Sequence, residues 1–502
     1  MHKLNKKLKL LTETSNFFWG EFLIMTSGLV SFPIFTRIFS KEQYGLFSLI
    51  GVTVSLLAPL SALGANRAIL RFYEKYKQQQ SLPIFLSTLL ISIVIFGFLV
   101  SFFALTGCKI LSFYCLSAKY AFLPFGLALI WMIAQNLFAL LNMTYRLEGK
   151  IISYNINGIL RKYGGMLIAV SLVLIFNSLT SYYAGILVAE CLIVFVLAFL
   201  FFKKTNLFSL SQGIFSKEIF VVSAKYGIPL SLSAISIMLF NSGDRYIIAA
   251  FMTSKDVAIY SVGYTLCEYA KELIVSPLNL ALLPVVFKLW ENKKIDELNG
   301  LLTSTIRYFL MLAIPICFIS ILVSSDLITV LASDKYKESA QVVPIVLAGV
   351  FLHGLDFPFS VGLHLVKKTK IFLYVMSMAA LLNIGLNIFA VPKFGIMGAA
   401  YTTLVSYIFY IAVFYLISRR YFKVQLPCKS IIHHLLLGAI CFFVVDYYVS
   451  FFGASNRILN ILNISISYFV LYIILLCLTD GVVRGHAQKS WRFITKRLAR
   501  IS

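Results

Sequence analysis

Apolar runs of about 20 residues, the length that crosses the hydrocarbon of a bilayer as an α-helix, recur along the whole chain between short polar links. The runs are continuously apolar and lack the alternation of barrel strands. The pattern therefore predicts an all-α integral membrane protein. We place its 14 transmembrane helices at residues 16–39, 44–70, 83–106, 120–144, 153–176, 181–202, 219–250, 257–287, 303–325, 341–366, 370–391, 396–417, 430–451 and 460–478.

Composition supports a membrane protein and argues against a soluble domain and against a nucleic-acid-binding protein. Of the 502 residues, 60% are hydrophobic and 13% are charged, whereas soluble domains carry about 25% charged residues. The net charge of +24 would suit a nucleic-acid-binding protein, but the basic residues lie mostly in the links and tails between apolar spans. We therefore expect membrane lipids, and no nucleic acid, as partners.

The lysines and arginines of the links predict the orientation of the chain. With the N-terminus inside, 28 basic residues fall on the cytoplasmic side and 9 on the opposite side. Cytoplasmic links carry the excess of positive charge in membrane proteins, so we expect both termini in the cytoplasm. The basic start of the chain precedes an apolar run without a small-residue cleavage site, and we interpret that run as an uncleaved first helix.

Two links resemble each other and indicate an internal repeat. The link SKEQYGLFSLIG from Ser40 aligns with SKDVAIYSVGYT from Ser254 after one gap. Each repeat would contain six spans, an even number, so the two repeats would be parallel about an axis along the membrane normal. We predict two six-helix lobes around a central cavity, at residues 1–212 and 213–425, and a third region, 426–502, with two extra helices and a basic cytoplasmic tail.

Two smaller features leave alternatives open. The tail after Asp480 has the spacing of an amphipathic helix lying on anionic lipid, and a solvated basic tail is the alternative. Most of the eight cysteines lie within apolar runs. Cys108 and Cys115 flank one short link predicted to face outward, where either a disulfide or two free thiols would fit.

The motifs of common enzyme chemistry are missing from the sequence. The links between spans are too short for a soluble catalytic domain, and no GxxxxGK[ST] nucleotide motif occurs. The cysteines and histidines have no metal-ligand spacing. These absences favour a secondary transporter over an enzyme or an ATP-driven pump, and we expect no cofactor and no metal.

Ionisable residues inside the predicted spans are the main functional signal. A charge at the bilayer centre costs at least about 2.5 to 3.5 kcal/mol on insertion scales, so these residues need partners or a wet cavity. The bases are Arg67, Arg161, Lys162, Lys225, Arg245, Lys271 and Arg307, and the acids that we single out are Asp244, Glu268 and Asp356.

Each of these residues has a structural alternative. The side chains of Arg67, Lys225 and Arg307 lie near cytoplasmic ends, from which long side chains reach the headgroups. Arg245 is adjacent to Asp244 and can pair with it. Tyr264, Glu268 and Lys271 share a helix face, because they are three and four residues apart, and the two charged residues can neutralise each other.

Four segments resemble a known family. These are FPIFTRIFSKEQYGLFSLIG from Phe32, LSALGANRAILRFYEK from Leu60, NSGDRYIIAAFMTSKDVAIYSVGY from Asn241 and VPKFGIMGAAYTTLVSY from Val391. They are similar to the polysaccharide transporters, or Wzx-type flippases, of the multidrug/oligosaccharidyl-lipid/polysaccharide (MOP) superfamily. The resemblance covers nearly all of the first twelve spans.

The resemblance implies that the chain moves undecaprenyl-diphosphate-linked oligosaccharides from the inner to the outer leaflet of the bacterial cytoplasmic membrane. The glycan would be O-antigen, capsule or exopolysaccharide. Partners implied with it are the glycosyltransferases, polymerase and chain-length regulator of the same pathway. The related lipid II flippases have arginines within their first span, whereas here Arg37 lies at its outer end, which argues against a peptidoglycan precursor.

Two other functions are weighed against the flippase. A cation-coupled multidrug exporter of the same fold would prefer an acidic cavity, whereas the embedded bases suit an anionic substrate. A membrane-embedded glycan polymerase or transferase would usually need a sizeable outward loop, and the outward links are short.

Fixed cations in the cavity would replace water around a diphosphate, and this assigns the site residues. We expect Arg161, Arg245 and Lys271 to contact the substrate, because they lie farthest from the membrane surfaces. Arg67, Lys162, Lys225, Arg307 and Tyr264, the last by stacking on sugar, complete the predicted substrate site. Asp244, Glu268 and Asp356 are candidates to bind a coupling proton or sodium ion.

Overall fold

The computed structural model describes residues 20–111 apart from positions 21 and 25, and residues 121–205, 214–368, 370–481 and 484. The regular structure in these ranges is helical, as the sequence predicts. The predicted amphipathic tail and the question of a bond between Cys108 and Cys115 lie outside the residues or side chains that the structure describes.

Seventeen α-helices are described, together with one π-helical turn at Leu160–Gly164 and one 3-10 helix at Asp334–Gln341. The α-helices are α1 Phe22–Ile38, α2 Lys41–Ser61, α3 Ala65–Gln78, α4 Leu82–Leu111, α5 Phe122–Leu147, α6 Ile151–Ile159, α7 Gly165–Phe176, α8 Leu179–Thr205, α9 Lys217–Ser242, α10 Asp244–Phe251, α11 Ser254–Glu291, α12 Ile295–Leu331, α13 Val343–Gly354, α14 Asp356–Leu365, α15 Lys370–Ser418, α16 Cys428–Phe452 and α17 Arg457–Thr479.

The count of membrane spans agrees with the prediction. Twelve helical segments of the described residues are long and apolar enough to cross a membrane. One of them, the 49-residue α15, joins two predicted spans across a kink at Gly395, whose φ of 59° is readily adopted only by glycine. The shorter α1 matches the first predicted span. With α15 taken as two spans and α1 added, the predicted fourteen are accounted for, and the chain is a multi-pass membrane protein.

The chain forms two compact units. Unit 1 comprises Met1–Ser261 and Met376–Ile396, and unit 2 comprises Val262–Val375 and Met397–Ser502. The predicted lobe boundaries at residues 212 and 425 follow the sequence repeat rather than compactness, and they stay a prediction.

In unit 1 the two similar links lie against each other. The hydroxyls of Ser48 and Ser261, which are aligned positions of the two links, are 2.7 Å apart. Lys255 Nζ is 2.9 Å from Glu42 Oε1. A Cβ on Gly45 would lie 1.8 Å from the carbonyl oxygen of Ser254, so only glycine permits this approach. The two links therefore form one closely packed contact.

In unit 2 the last two helices, α16 and α17, pack on α12. Their shared core includes Ile319, Cys441, Tyr468 and Tyr472. The Tyr468 hydroxyl donates to the Gly438 carbonyl at 2.7 Å, which satisfies the polar end of a buried ring. The two helices that lie outside the predicted repeat thus pack on a helix of the second predicted lobe.

Candidate functional site

A cavity of about 170 Å³ lies inside unit 1, between α1, α5, α8 and the irregular segment that joins α6 to α7. It combines charged, hydroxyl and aromatic side chains at membrane depth. Its lining residues are Ser27, Gly28, Ser31, Phe35, Trp131, Arg161, Lys162, Gly165, Met166, Tyr182, Ile186 and Glu190.

The π-helical turn Leu160–Gly164 carries both cations of this cavity. Neighbouring residues of a regular α-helix point about 100° apart. The wider turn alters these directions, and the adjacent Arg161 and Lys162 both line the same space. Single π turns inside α-helices occur frequently at functional sites, so the backbone supports a functional interpretation of the two bases.

Arg161 is held by residues of two other helices. Its Nε lies 2.7 Å from Oε1 of Glu190 on α8 and donates to Oε2 at 2.9 Å. The indole N–H of Trp131 on α5 donates to Oε2 of the same carboxylate at 3.3 Å. The guanidinium carbon lies 4.7 Å from the ring centre of Phe138. The side chains of Arg161 and Glu190 are 14% and 5% exposed, so this is a largely buried ion pair.

Lys162 differs from Arg161 although it is the next residue. Its side chain is exposed and lines the cavity. Among the described residues it has no ion-pair partner, whereas Arg161 is paired with Glu190. Lys162 is therefore the cation of this cavity that can meet an anionic ligand without first losing a protein partner.

Aromatic rings form the side of the cavity next to α1 and α8. The rings of Phe35 and Tyr182 meet edge to face, with centres 4.9 Å apart and an interplanar angle of 83°. Phe47 also meets Tyr182 edge to face, with ring centres 5.1 Å apart, and its ring centre lies 6.2 Å from that of Phe35. Such edge-to-face packing fixes ring orientation, so Tyr182 is a rigid wall for any ligand that enters.

Arg245 lies elsewhere in unit 1 and is not among the residues that line this cavity. Its side chain is 7% exposed, and its Nε donates to the Ser261 hydroxyl at 3.1 Å. Asp244 begins α10 and accepts from the Arg245 backbone N–H at 2.8 Å and from the Tyr260 hydroxyl. Both side chains sit in a hydrogen-bonded network at the start of α10.

Lys271 and Glu268 form an ion pair within α11 of unit 2. Lys271 Nζ lies 3.1 Å from Glu268 Oε2, three residues earlier on the helix. The neighbouring Glu272 accepts from the Ser276 hydroxyl at 3.0 Å. Tyr264 is 1% exposed and its hydroxyl lies 3.2 Å from that of Tyr407. Its ring therefore presents no face to a sugar here, and the stacking role stays a prediction.

Asp356 stands at the start of α14, also in unit 2. Its Oδ1, the Nε2 of His353 and the Oγ of Ser360 are buried atoms without a hydrogen-bond partner among the described residues. Buried polar atoms are almost always satisfied in native structures. The Asp356 carboxyl also interacts with the Tyr410 hydroxyl on α15. A carboxyl group with a neutral neighbour fits the binding of a proton or a small cation.

The remaining three predicted cations are not among the residues that line the cavity in unit 1. Arg67 on α3 and Lys225 on α9 are exposed. Arg307 on α12 makes an ion pair with Asp480, at the end of α17. That ion pair joins α12 to the last span, which favours a structural role for Arg307.

Sequence reasoning missed Glu190, Trp131, Phe35 and Tyr182. Glu190 was detectable as a single acid in the middle of an apolar span. Its partner Arg161 is 29 residues away, so their pairing depends on how the two helices pack. The aromatic residues had no distinguishing signal, because rings are common throughout this chain: 15% of its residues are aromatic.

Solved structures with a similar fold are transporters of lipids and drugs. The lipid II flippase MurJ in an inward closed conformation matches with a TM-score of 0.72 at 16% identity, covering 92% of this chain and 98% of that one. An inward-facing multidrug resistance MATE transporter of the MOP superfamily matches with a TM-score of 0.65 at 14% identity, covering 79% of this chain and 94% of that one. At these identities the likeness concerns the fold.

Sequence relatives and family models agree with that fold. An uncharacterised membrane protein of Methanocaldococcus jannaschii is 22% identical over 453 residues, which are 86% of this chain and 88% of the relative. The MatE family model matches residues 229–389. The model of the family described as polysaccharide biosynthesis protein matches residues 11–290. Because this last match covers more than half of the chain, the protein belongs to the polysaccharide biosynthesis protein family.

Proposed function

We propose that this chain is a flippase that carries undecaprenyl-diphosphate-linked oligosaccharides from the inner to the outer leaflet of the cytoplasmic membrane, for the synthesis of a surface glycan. One observation carries the proposal. Two adjacent bases, Arg161 and Lys162, line a cavity at membrane depth, and Lys162 is exposed there without an ion-pair partner among the described residues.

The chemistry of the cavity suits the polar part of such a substrate. A desolvated diphosphate needs fixed cations and hydrogen-bond donors in place of water, and Arg161 and Lys162 supply both. The ring of Tyr182 offers an apolar face with a polar end, which suits a sugar. The lipid tail can stay in the bilayer while the headgroup crosses. Arg245 and Lys271 remain predicted substrate contacts, each supported so far by membrane-depth position alone.

The membrane potential can drive this reaction. Moving about two negative charges outward through ~100 mV, inside negative, releases roughly 4.6 kcal/mol at about 2.3 kcal/mol per charge. Flipping that continues unchanged in vesicles with the potential and all ion gradients collapsed would contradict such coupling.

Asp356 is the acid that we propose for an additional coupling ion. Asp244 is hydrogen-bonded at a helix start, and Glu268 is paired with Lys271. Asp356 instead interacts with the neutral Tyr410 hydroxyl and has no ion-pair partner among the described residues. Asp356→Asn should remove the dependence of transport on a proton or sodium gradient. A gradient dependence like that of the parent protein would exclude this residue.

The competing functions are less well supported. A multidrug exporter for cationic compounds needs an accessible acid, but the acid of this cavity, Glu190, is 5% exposed and neutralised by Arg161. A glycan polymerase needs groups that act on a glycosidic bond, and the cavity offers one carboxylate, already bound to two donors.

The test compares two lysine variants in a strain that lacks the chromosomal copy of this gene. Lys162→Ala should abolish surface glycan and leave lipid-linked repeats on the inner leaflet. The matched control is Lys150→Ala, in the link before α6, where the lysine pairs with Glu148 outside the cavity. Normal glycan with Lys162→Ala at normal abundance would contradict the proposal. A changed drug susceptibility without any change in glycan would favour the exporter.

The orientation has a separate test. Cysteines placed at Lys255 and Lys335 should react with impermeant reagents from outside, and cysteines at Lys204 and Lys368 should be protected. Reversal at two of the four positions would contradict cytoplasmic termini.

A further inference from the structure

Glu190 already pairs with Arg161, the cation that an anionic substrate would also bind. Both of its carboxylate oxygens lie within 2.9 Å of Arg161 Nε. The carboxylate is further held by the indole N–H of Trp131, on a third helix. The cavity therefore contains an internal anion, bound to the chain, beside a second cation that has no such partner.

We propose that Glu190 is a resident counter-anion that the phosphate of the substrate displaces from Arg161, and that this exchange makes the cavity select diphosphates over carboxylates. The inference rests on the proposed function, because it assumes that an anion enters this cavity. Glu190 thereby determines specificity, although it repels the substrate itself.

The expected selectivity follows from the contacts that a carboxylate and a diphosphate would each gain in this cavity. A sugar carboxylate that replaces Glu190 exchanges one carboxylate contact for another, and the displaced Glu190 loses its partner. A diphosphate brings two charges and more acceptor oxygens, so it can bind Arg161 through parallel hydrogen bonds and Lys162 as a point charge. Discrimination of this kind arises from an unfavourable element built against the wrong ligand.

The position of Trp131 makes the exchange measurable. Its indole N–H donates to Glu190 Oε2 at 3.3 Å, so movement of the carboxylate changes the hydrogen bonding of the ring. The chain has four tryptophans, at positions 19, 131, 290 and 491. Replacing the other three with phenylalanine leaves Trp131 as the sole tryptophan of the full-length protein, and excitation at the red edge of the absorption band avoids the tyrosines.

The experiment titrates this single-tryptophan protein, in lipid nanodiscs, with inorganic pyrophosphate and with acetate at equal ionic strength. Pyrophosphate should shift the Trp131 emission in a saturable manner, and acetate should not. Glu190→Gln removes the competing charge, so pyrophosphate should bind roughly tenfold more tightly or better, the Trp131 response should shrink, and acetate should begin to bind. Glu297→Gln, which neutralises an exposed pair with Lys294 on α12, is the matched control and should change nothing.

Two results would overturn the inference. One is that Glu190→Gln, folded by size exclusion, binds pyrophosphate no more tightly than the parent protein. The other is that pyrophosphate binds to the parent protein without a Trp131 response. If the glutamine variant does not fold, Glu190→Asp replaces it. Its shortened side chain keeps the charge and weakens the pair, so tighter pyrophosphate binding with the acetate exclusion retained is expected, and unchanged binding would overturn the inference equally.

Failure of the proposed function would look different. Pyrophosphate could displace Glu190 as expected while Lys162→Ala leaves surface glycan intact, and then the anion exchange would stand without the flippase. Conversely, loss of glycan with Lys162→Ala and no effect of Glu190→Gln on binding would keep the flippase and remove the counter-anion.

Discussion

Two clusters of charge inside the spans have opposite compositions. In unit 1, Arg161 and Lys162 face the single acid Glu190. In unit 2, Lys271 stands between two acids of its own helix, Glu268 and Glu272. The first cluster has a surplus positive charge and the second a surplus negative charge. The net charge of each cluster therefore depends on all of its charged residues. Lys271, next to two acids, does not by itself make an anion-binding site.

The two ion pairs also differ in what they connect. Arg161 and Glu190 come from different helices, 29 residues apart, so their pairing links two helices and forms only when they pack together. Glu268 and Lys271 lie three residues apart on α11, and such a pair forms on an isolated helix. We therefore expect the unit 1 pair to contribute to both stability and transport, and the unit 2 pair to contribute little to stability.

The largest effect should come from reversing a charge in unit 1. Lys162→Glu converts the surplus positive charge to a surplus negative one, and export should fall by at least ~100-fold, since a like charge next to a phosphate costs several kcal/mol. Lys162→Arg should retain partial activity. Surface glycan normalised to protein abundance is the measurement. An equal loss with Lys271→Glu would break the contrast between the units.

The next effect is on stability and concerns Arg161. Arg161→Ala leaves Glu190 buried without its partner, which should cost about 3 to 5 kcal/mol. The double variant Arg161→Ala, Glu190→Ala should recover part of this loss, because no uncompensated charge remains. Unfolding of the purified protein in detergent gives the comparison. Additive losses in the double variant would show that the two residues do not act as a pair.

A much smaller stability change is expected for the unit 2 pair. Lys271→Ala should cost about 0.5 kcal/mol or less, the value of a pair within one helix. Its Nζ is 3.1 Å from Glu268, whose side chain is still 31% exposed, so water can compensate the lost partner. A loss of stability as large as that of Arg161→Ala would mean that the Lys271 pair stabilises the fold as much as the Arg161 pair does.

The smallest effect should be at an exposed pair outside the clusters. Arg457 Nη1 donates to Asp334 Oδ2 at 3.1 Å, and this hydrogen bond holds the pKa of Asp334 below its ordinary value. A lowered pKa stabilises the folded protein above the unfolded value, near 3.9, and the contribution disappears as the pH falls through the folded value. The melting temperature of Arg457→Ala should thus be slightly reduced at pH 7 and equal to that of the parent near pH 2. A difference in melting temperature that persists near pH 2 would contradict the assignment of this effect to the Asp334 carboxylate.

The spans could be predicted from sequence because each is defined by its own hydrophobicity. The same hydrophobicity pattern places Arg161 and Lys162 inside span five. It does not predict the π turn, the edge-to-face rings around Tyr182 or the partner of Arg161, because all three depend on packing between helices. Sequence reasoning also ranked Arg161 above Lys162 as a ligand for the substrate. The structure pairs Arg161 with an acid and leaves Lys162 exposed in the cavity.

The π turn of span five also affects how the two ends of that span face their neighbours. A turn closed by i to i+5 hydrogen bonds holds one residue more than an α-helical turn, so Leu160–Gly164 takes up its extra residue locally. Deleting one residue from this turn should therefore restore a regular helix and leave the faces before and after it unchanged. The two neighbouring bases would then point about 100° apart.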